Sequence, residues 1–303
     1  MSSSRAVRFS RFGGPEVLEL VEVPVPDVPP GRVRVRVEAA GLNPFDTKRR
    51  RGLTGEVRFP AGNGSDFAGT VDAVGEEVDG FALGDAVLGR APFSAQADHV
   101  LAKPDALVRR PATLPVEVAA ALDTAGRTAW DTVAFAGVGR GDTVLVSAAA
   151  GGVGVLAAQL ARRAGAIVIG TAGTSNAAFL TSLGIVPVRY GKGLVDRVRA
   201  VAPQGVTVVL DNSGRETIEA GLALGTAPER IVTIADRDAA AELGTADLPR
   251  TPADSGTLAA VAALIADGEL RLPIDRVFPV EEVVAAYEHL ERGHLRGKVV
   301  LRF

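Results

Sequence analysis

Residues Val144 to Ala161 run without a charge, and the hexapeptide Ala149-Ala150-Gly151-Gly152-Val153-Gly154 sits inside that run. Asp142 and the pair Arg162-Arg163 bracket it. A transmembrane helix needs about 20 predominantly apolar residues. Gly151, Gly152, Gly154, Ser147 and Gln159 make this run a poor one, because glycine disfavours a helix interior. A strand over Thr143–Ser147, a glycine turn and a helix over Val153–Ala164 account for the same letters. The spacing is G-x-G-x-x-G with alanine in the first place. The chain must leave the strand tightly, the backbone at Gly151 must approach a pyrophosphate, and Gly154 must let the helix pack close to the sheet. The helix N-terminus then offers free N–H groups and a positive dipole end to the phosphates. The spacing alone is a weak signal, and its setting between an apolar strand and an apolar helix makes it a dinucleotide turn. A tight strand–helix turn that binds nothing is the competing reading.

The segments that follow keep alternating. Helix Asn176–Leu183, helix Gly193–Val201 and helix Glu216–Gly221 are interleaved with strands Ile167–Gly170, Val186–Val188, Thr207–Asp211 and Ile231–Ala235. Such alternation argues for an α/β unit whose parallel sheet is covered on both faces. The chain before Pro115 is different. Arg32–Ala39 alternates charged and apolar residues with period two, the pattern of a half-buried strand. Val17–Val23, Gly69–Val74, Phe81–Val87 and Asp98–Ala102 are further short β runs between glycine-rich turns, and Pro24–Pro30 is a proline-rich connector. This is an antiparallel, barrel-like pattern. Val116–Phe135 and Leu258–Asp267 read as helices, and the tail returns to a strand at Arg276–Pro279, an amphipathic helix at Val280–Arg292 and a strand at Lys298–Phe303.

With 303 residues, two domains or one large α/β unit are expected. The formal net charge of -3 gives no nucleic-acid footprint. The run Lys48-Arg49-Arg50-Arg51 is the one basic cluster; it reads as a solvated loop, or as local attraction for a phosphate-bearing ligand. Cysteine is absent, which excludes disulfides, thiolate–metal sites and a cysteine nucleophile. The segment Met1–Arg5 has no apolar stretch of a secretory signal, so a cytoplasmic protein is expected, with no membrane partner.

A NAD site places Asp or Glu at the end of the second strand, about 20 residues past the first glycine, to accept hydrogen bonds from the ribose. Here that stretch is Ile169-Gly170-Thr171-Ala172-Gly173-Thr174, without a carboxylate. Its absence admits the 2′-phosphate of NADP. Arg189, Tyr190 and Lys192 follow the third strand, where they could reach such a phosphate; as solvated loop residues they would not. NADPH is the expected cofactor.

The chain resembles the medium-chain dehydrogenase/reductase superfamily, in its zinc-free quinone oxidoreductase (zeta-crystallin-like) branch. The segments that carry the resemblance include Ala39-Ala-Gly-Leu-Asn-Pro-Phe-Asp46, Gly64-Ser-Asp-Phe-Ala-Gly-Thr-Val71, Ala125-Gly-Arg-Thr-Ala-Trp130, the glycine turn, Asp211-Asn-Ser-Gly214 and Arg296-Gly-Lys-Val-Val-Leu301. The resemblance implies a doubly wound parallel Rossmann domain over 119-265 and a GroES-like β-barrel-type catalytic domain over 1-118 and 266-303. It implies that Asn43 and Thr128 stand beside the nicotinamide and substrate. It implies cofactor contacts from Ala150, Gly151, Gly152, Val153 and Gly154 at the pyrophosphate. Thr171, Gly173, Tyr190 and Lys192 are expected around the adenosine ribose and its phosphate. Asn212, Ser213, Ile234, Ala235 and Lys298 are expected along the groove. In the zinc enzymes of the superfamily a cysteine would fall near Asn43 and a histidine near Ser65, so no metal is expected.

The chain also departs from its relatives. Ser175-Asn176-Ala177 lacks the basic residue that some place after the second strand. Gln96 and His99 stand where relatives often carry tyrosine. The stretch Asp236–Gly256, with Pro249 and Pro252, is short where many relatives carry an edge strand of a homodimer, which weighs against the dimer that the resemblance implies.

The expected chemistry is hydride delivery to a quinone or an α,β-unsaturated carbonyl compound, without a metal. Hydrogen-bond donors must then stabilise the developing oxyanion, with Asn43 the first candidate and water or His99 as proton source. Asp46 and Asp66 read as structural residues, Asp66 as a turn anchor. The alternatives are an enoyl reductase of secondary metabolism and a non-catalytic NADPH-binding regulator.

Overall fold

The computed structural model describes residues 3–249 and 254–303; Met1 and Pro252 lie outside the described residues. The chain opens on β1 (Ser3–Phe9), which the sequence reading had not marked, followed by β2 (Glu19–Pro24) and β3 (Val33–Gly41). In β3 Val33, Val35 and Val37 are buried while Arg34 and Arg36 are not, so the period-two pattern holds. Helix α1 (Pro44–Arg50) begins with proline, whose missing N–H costs nothing at a first helical position. Then come β4 (Ala61–Gly62), β5 (Asp66–Val74), β6 (Ala86–Arg90), β7 (His99–Ala102) and β8 (Leu107–Arg109). The strand expected over Phe81–Val87 starts later, because Ala82–Asp85 is a turn: Asp85 Oδ2 accepts from Ala82 N at 2.9 Å, and Gly84 has φ 88.

The helix expected over Val116–Phe135 is two helices, α2 (Val116–Ala120) and α3 (Asp123–Phe135). The break lets the backbone of Ala120 and Ala121 lie against Gly41, where a Cβ would come within 2.6 Å of the Ala120 carbonyl. From here the order is β9 (Thr143–Val146), α4 (Gly152–Arg163), β10 (Ile167–Ala172), α5 (Ala177–Ser182), β11 (Val186–Arg189), α6 (Leu194–Val201), β12 (Val208–Asp211), α7 (Arg215–Ala223), β13 (Ile231–Thr233), α8 (Arg237–Leu243) and β14 (Ala246–Asp247). The tail holds α9 (Ser255–Ala266), β15 (Ile274–Pro279), α10 (Val283–Arg292) and β16 (Lys298–Arg302).

Two large sheets result. The first runs β11-β10-β9-β12-β13-β14, all parallel. Counted from β9, that is the order 3-2-1-4-5-6 of a doubly wound dinucleotide fold, with its crevice where the order reverses between β9 and β12. The second runs β15-β16-β3-β5-β6-β8, with β7 on β3, and is antiparallel except for β15 on β16. Its inner face carries Val33, Val35, Phe67, Val71, Val87 and Val100. Thus residues 33–109 and 274–302 share the GroES-like sheet, and residues 143–247 form the Rossmann-like one. No helix among the described residues is long and apolar enough to cross a membrane.

The basic run is not a solvated loop. Lys48, Arg49 and Arg50 end α1, and Arg50 is 0% exposed. Its guanidinium pairs with Glu291 of α10 and lies over the Tyr287 ring at 5.0 Å. Burial without such a partner would be prohibitive, and the partner lies 241 positions away in sequence.

Candidate active site

The glycine turn follows β9 at the crevice. Ala148 takes φ 46, a left-handed conformation unusual for alanine. Its N–H donates to Thr171 Oγ1 at 3.2 Å, and Ala149 N donates to the Thr171 carbonyl at 2.9 Å. Thr171 is therefore a buried brace for the turn and not an open ribose contact. The glycines are small for different reasons. A Cβ on Gly154 would meet the Ala148 carbonyl at 2.3 Å, so this position must be bare for α4 to leave the strand. A Cβ on Gly152 would meet the Lys298 stem at 2.5 Å. On Gly151 it would meet only Ala148 O, at 3.2 Å, which leaves that backbone open to a ligand. Val153 is half-buried, and no side chain caps the N-terminus of α4.

The neighbouring strand end is tied to the turn. Buried Asp211 accepts from Ser147 Oγ at 2.9 Å, from Ser213 N at 3.0 Å and from Thr233 Oγ1 at 2.6 Å. Asn212 donates to the Ser147 carbonyl at 2.8 Å, while its own Oδ1 is buried without a partner among the described residues. A buried acceptor of this kind asks for a donor. An uncapped helix end, an open Gly151 and an orphaned Asn212 oxygen around one crevice fit a dinucleotide. Ile234 and Ala235 continue the edge, half-buried, and Lys48 Nζ donates to the Ala235 carbonyl at 3.2 Å.

The turn meets the other sheet at β16. Gly297 N donates to the Ala150 carbonyl at 2.7 Å. The next residue, Lys298, is buried; its Nζ donates to the Leu42 carbonyl at 2.8 Å and to Asn43 Oδ1 at 2.5 Å. Burial pulls the Lys298 ammonium below its ordinary pKa, opposed by Asp66 and Asp46. Asn43 Nδ2 donates to Asp66 Oδ2 at 3.0 Å. A cationic donor on one side and a carboxylate on the other fix which amide atom is oxygen. Asp66, 0% exposed, also accepts from Thr124 N at 3.2 Å and Thr124 Oγ1 at 2.5 Å. It is thus not a turn anchor: it opens β5 and positions Asn43. Asp46 accepts from Asn43 N at 2.9 Å, and burial pushes its carboxyl up to about 7.

Asn43, Thr128 and Ile234 line one cleft of about 610 Å³ between the two sheets. His99 does not reach it: its ring contacts Ser4 Oγ at 3.2 Å and Asp72 at 3.4 Å, six residues along β5 from Asp66. Gln96 is buried against Tyr287 and Asn63. Among the described residues, no cluster of three His, Cys, Asp or Glu could hold a metal ion.

Comparison with known proteins agrees with this architecture. Residues 29–109 match the alcohol dehydrogenase GroES-like domain family and residues 185–301 the zinc-binding dehydrogenase family. The quinone oxidoreductase of Lama guanicoe is 31% identical over 98% of this chain and 97% of its own. The chain belongs to the zinc-free quinone oxidoreductase branch of the medium-chain dehydrogenase/reductase superfamily. It is an oxidoreductase of a family that uses a nicotinamide cofactor and acts on small molecules. The structure of the quinone oxidoreductase from Coxiella burnetii superposes with a TM-score of 0.88 at 33% identity, covering 100% of both chains. CurK enoyl reductase superposes at 0.86 with 26% identity, covering 99% of each. These relatives favour an enzyme over the regulator considered from the sequence.

Within the family frame, the far end of the crevice holds what the sequence reading missed. Gly173 faces the Tyr190 hydroxyl, which would lie 3.8 Å from a Cβ there. Tyr190 is exposed, bonded to His294 Nδ1 at 2.9 Å and stacked on its ring. Arg296 donates to Asn176 Oδ1 at 2.9 Å and to the Ser175 carbonyl at 3.2 Å. The stretch Ser175-Asn176-Ala177 lacks a basic residue in sequence, and Arg296 brings one to it from 120 positions away. Lys192 is exposed; its carbonyl accepts from Arg197, which also donates to the Tyr190 carbonyl.

Proposed function

We propose that the chain is an NADPH-dependent reductase that delivers hydride to a quinone or an α,β-unsaturated carbonyl compound without a metal. The observation that carries the reading is the Asn43 amide, locked between Lys298 and Asp66 at the edge of the cleft. When bound, the nicotinamide cofactor supplies the hydride. The Asn43 amide has two N–H donors, one of them held by Asp66, and the other is free to donate to the acceptor oxygen as negative charge develops. A donor that is already oriented need not reorganise during the reaction, which is where most electrostatic catalysis lies. Thr128 stands across the same cleft as a second positioning group. Protons reach the product from water, since His99 is engaged elsewhere.

Support for the phosphate-bearing cofactor is the Tyr190–His294–Arg296 group beside Gly173. Titration of intrinsic fluorescence with NADPH and NADH tests it. NADPH should bind at least about tenfold tighter, and Arg296→Ala should erase that difference while sparing NADH. No saturable binding of either cofactor would sink the reading. The likeness to CurK enoyl reductase favours a second reading, an enoyl acceptor; oxidation of NADPH with matched quinones and enones separates the two.

A further inference from the structure

The cleft has an uneven use of its charges. Arg127 lines it and is committed to Asp123 through bonds of 2.5 and 2.6 Å. Arg237 is held by Asp247 at 3.3 Å and by the Leu248 carbonyl at 2.9 Å. Among the acids, Asp46 serves Asn43 N, and Asp254 caps α9 through Gly256 N and Thr257 N. Arg90 differs. It ends β6 directly opposite Asp66 in the sheet register, is half-buried and lines the cleft. Its guanidinium has no hydrogen bond or ion pair among the described residues, and it feels Asp123 only through space. A partly desolvated guanidinium with unused donors is matched by a planar or tetrahedral anion.

The same cleft has a flat apolar face. Phe45 and Phe93 stack with centroids 6.3 Å apart and planes 25° apart, and remain 43% and 39% exposed. The Arg49 guanidinium sits 4.2 Å from the Phe93 ring and supports it. Phe93 is held at φ 63, a conformation a phenylalanine rarely takes, and its carbonyl lies so close to Gly62 that a Cβ there would be 2.4 Å away. Exposed rings kept in a strained place mark a binding surface.

We infer that the cleft selects flat acceptors bearing an anionic substituent, with Arg90 binding the substituent and Phe45–Phe93 holding the ring. The word acceptor rests on the reductase reading above; the binding preference does not. The test is calorimetric titration of the protein, loaded with oxidised NADP so that no turnover occurs. The ligands are 9,10-anthraquinone-2-sulfonate and its neutral counterpart 2-(hydroxymethyl)-9,10-anthraquinone. The wild type should bind the sulfonate about 10- to 100-fold tighter. Arg90→Met should lose that preference and keep the neutral ligand, and Arg90→Lys should retain part of it. Added salt should shrink the preference in the wild type alone, a reading that needs no variant to fold. Equal affinities, no binding of either ligand, or a preference that survives Arg90→Met would overturn the inference. NADPH oxidation with 1,2-naphthoquinone is run in parallel. Its failure, together with failure of the matched enones, beside an intact sulfonate preference would remove the reductase reading and leave Arg90 as an anion anchor.

Discussion

The glycine turn and the Asn43 cluster are neighbours built on opposite plans. The turn is contiguous in sequence and leaves polar groups over: among the described residues no side chain caps the α4 N-terminus, and Asn212 Oδ1 has no partner. The cluster draws residues 43, 66, 124 and 298 together, and its polar atoms bond chiefly to each other. Free N–H groups at a helix start suit a phosphate whatever the rest of its ligand. A closed side-chain network instead holds one amide in one orientation, which is what a reacting oxygen needs.

The sharpest way to break this contrast is within the turn. Gly154→Ala drives a Cβ to 2.3 Å from Ala148 O, whereas Gly151→Ala brings one only to 3.2 Å. The first should cost about 3 kcal/mol or more of stability, seen as a lowered Tm. The second should melt near the wild type and bind NADPH weakly. If both variants fall alike, Gly151 is structural and the turn is not an open site.

A pH effect at Asp46 is of comparable size. Burial holds Asp46 at about 7 against an ordinary 3.8. The folded protein therefore keeps a proton that the unfolded chain releases, so the contribution of Asp46 to stability is full below about pH 4 and is lost as pH rises through 7. The loss should be on the order of 4 kcal/mol. Asp46→Asn, which keeps an acceptor for Asn43 N, should reduce the fall of Tm between pH 4 and 7, leaving below pH 6 the part that Asp123, raised to about 6, contributes. An unchanged slope would mean that Asp46 is ionised in the fold.

The smallest effect sharpens the division of labour. Lys298→Met keeps a stem over Gly152 but leaves Asn43 Oδ1 and the Leu42 carbonyl unpaired. It should cost about 1–3 kcal/mol and lower kcat/KM roughly 10- to 100-fold, with NADPH affinity little changed. Loss of cofactor binding instead would assign the lysine to the turn.

The same contrast explains what was legible in the sequence. The turn was read correctly because its strand, glycines and helix are adjacent. Its context of alternating β and α segments gave the parallel sheet, and the repeated valines of β3 gave the other. Asn43, Thr128 and Ile234 could be named from the family resemblance, and they do meet in one cleft. Partners set by distant chain were not readable. Arg50 looked solvated because Glu291 is 241 positions away. Asp66 looked like a turn residue because nothing local shows that Asn43 and Thr124 will reach it. Arg296 was hidden from Ser175 and Asn176 in the same way, although it stood in a motif that had already been singled out. His99 failed as a proton donor because strand register, not composition, carries it to Ser4 and Asp72.

The Gly297–Ala150 bond has a mechanical consequence. Because Gly297 and Lys298 are consecutive, one peptide unit ties the glycine turn to the lysine that holds Asn43 in the other sheet. A shift of the turn therefore reaches the Asn43 amide through one peptide unit.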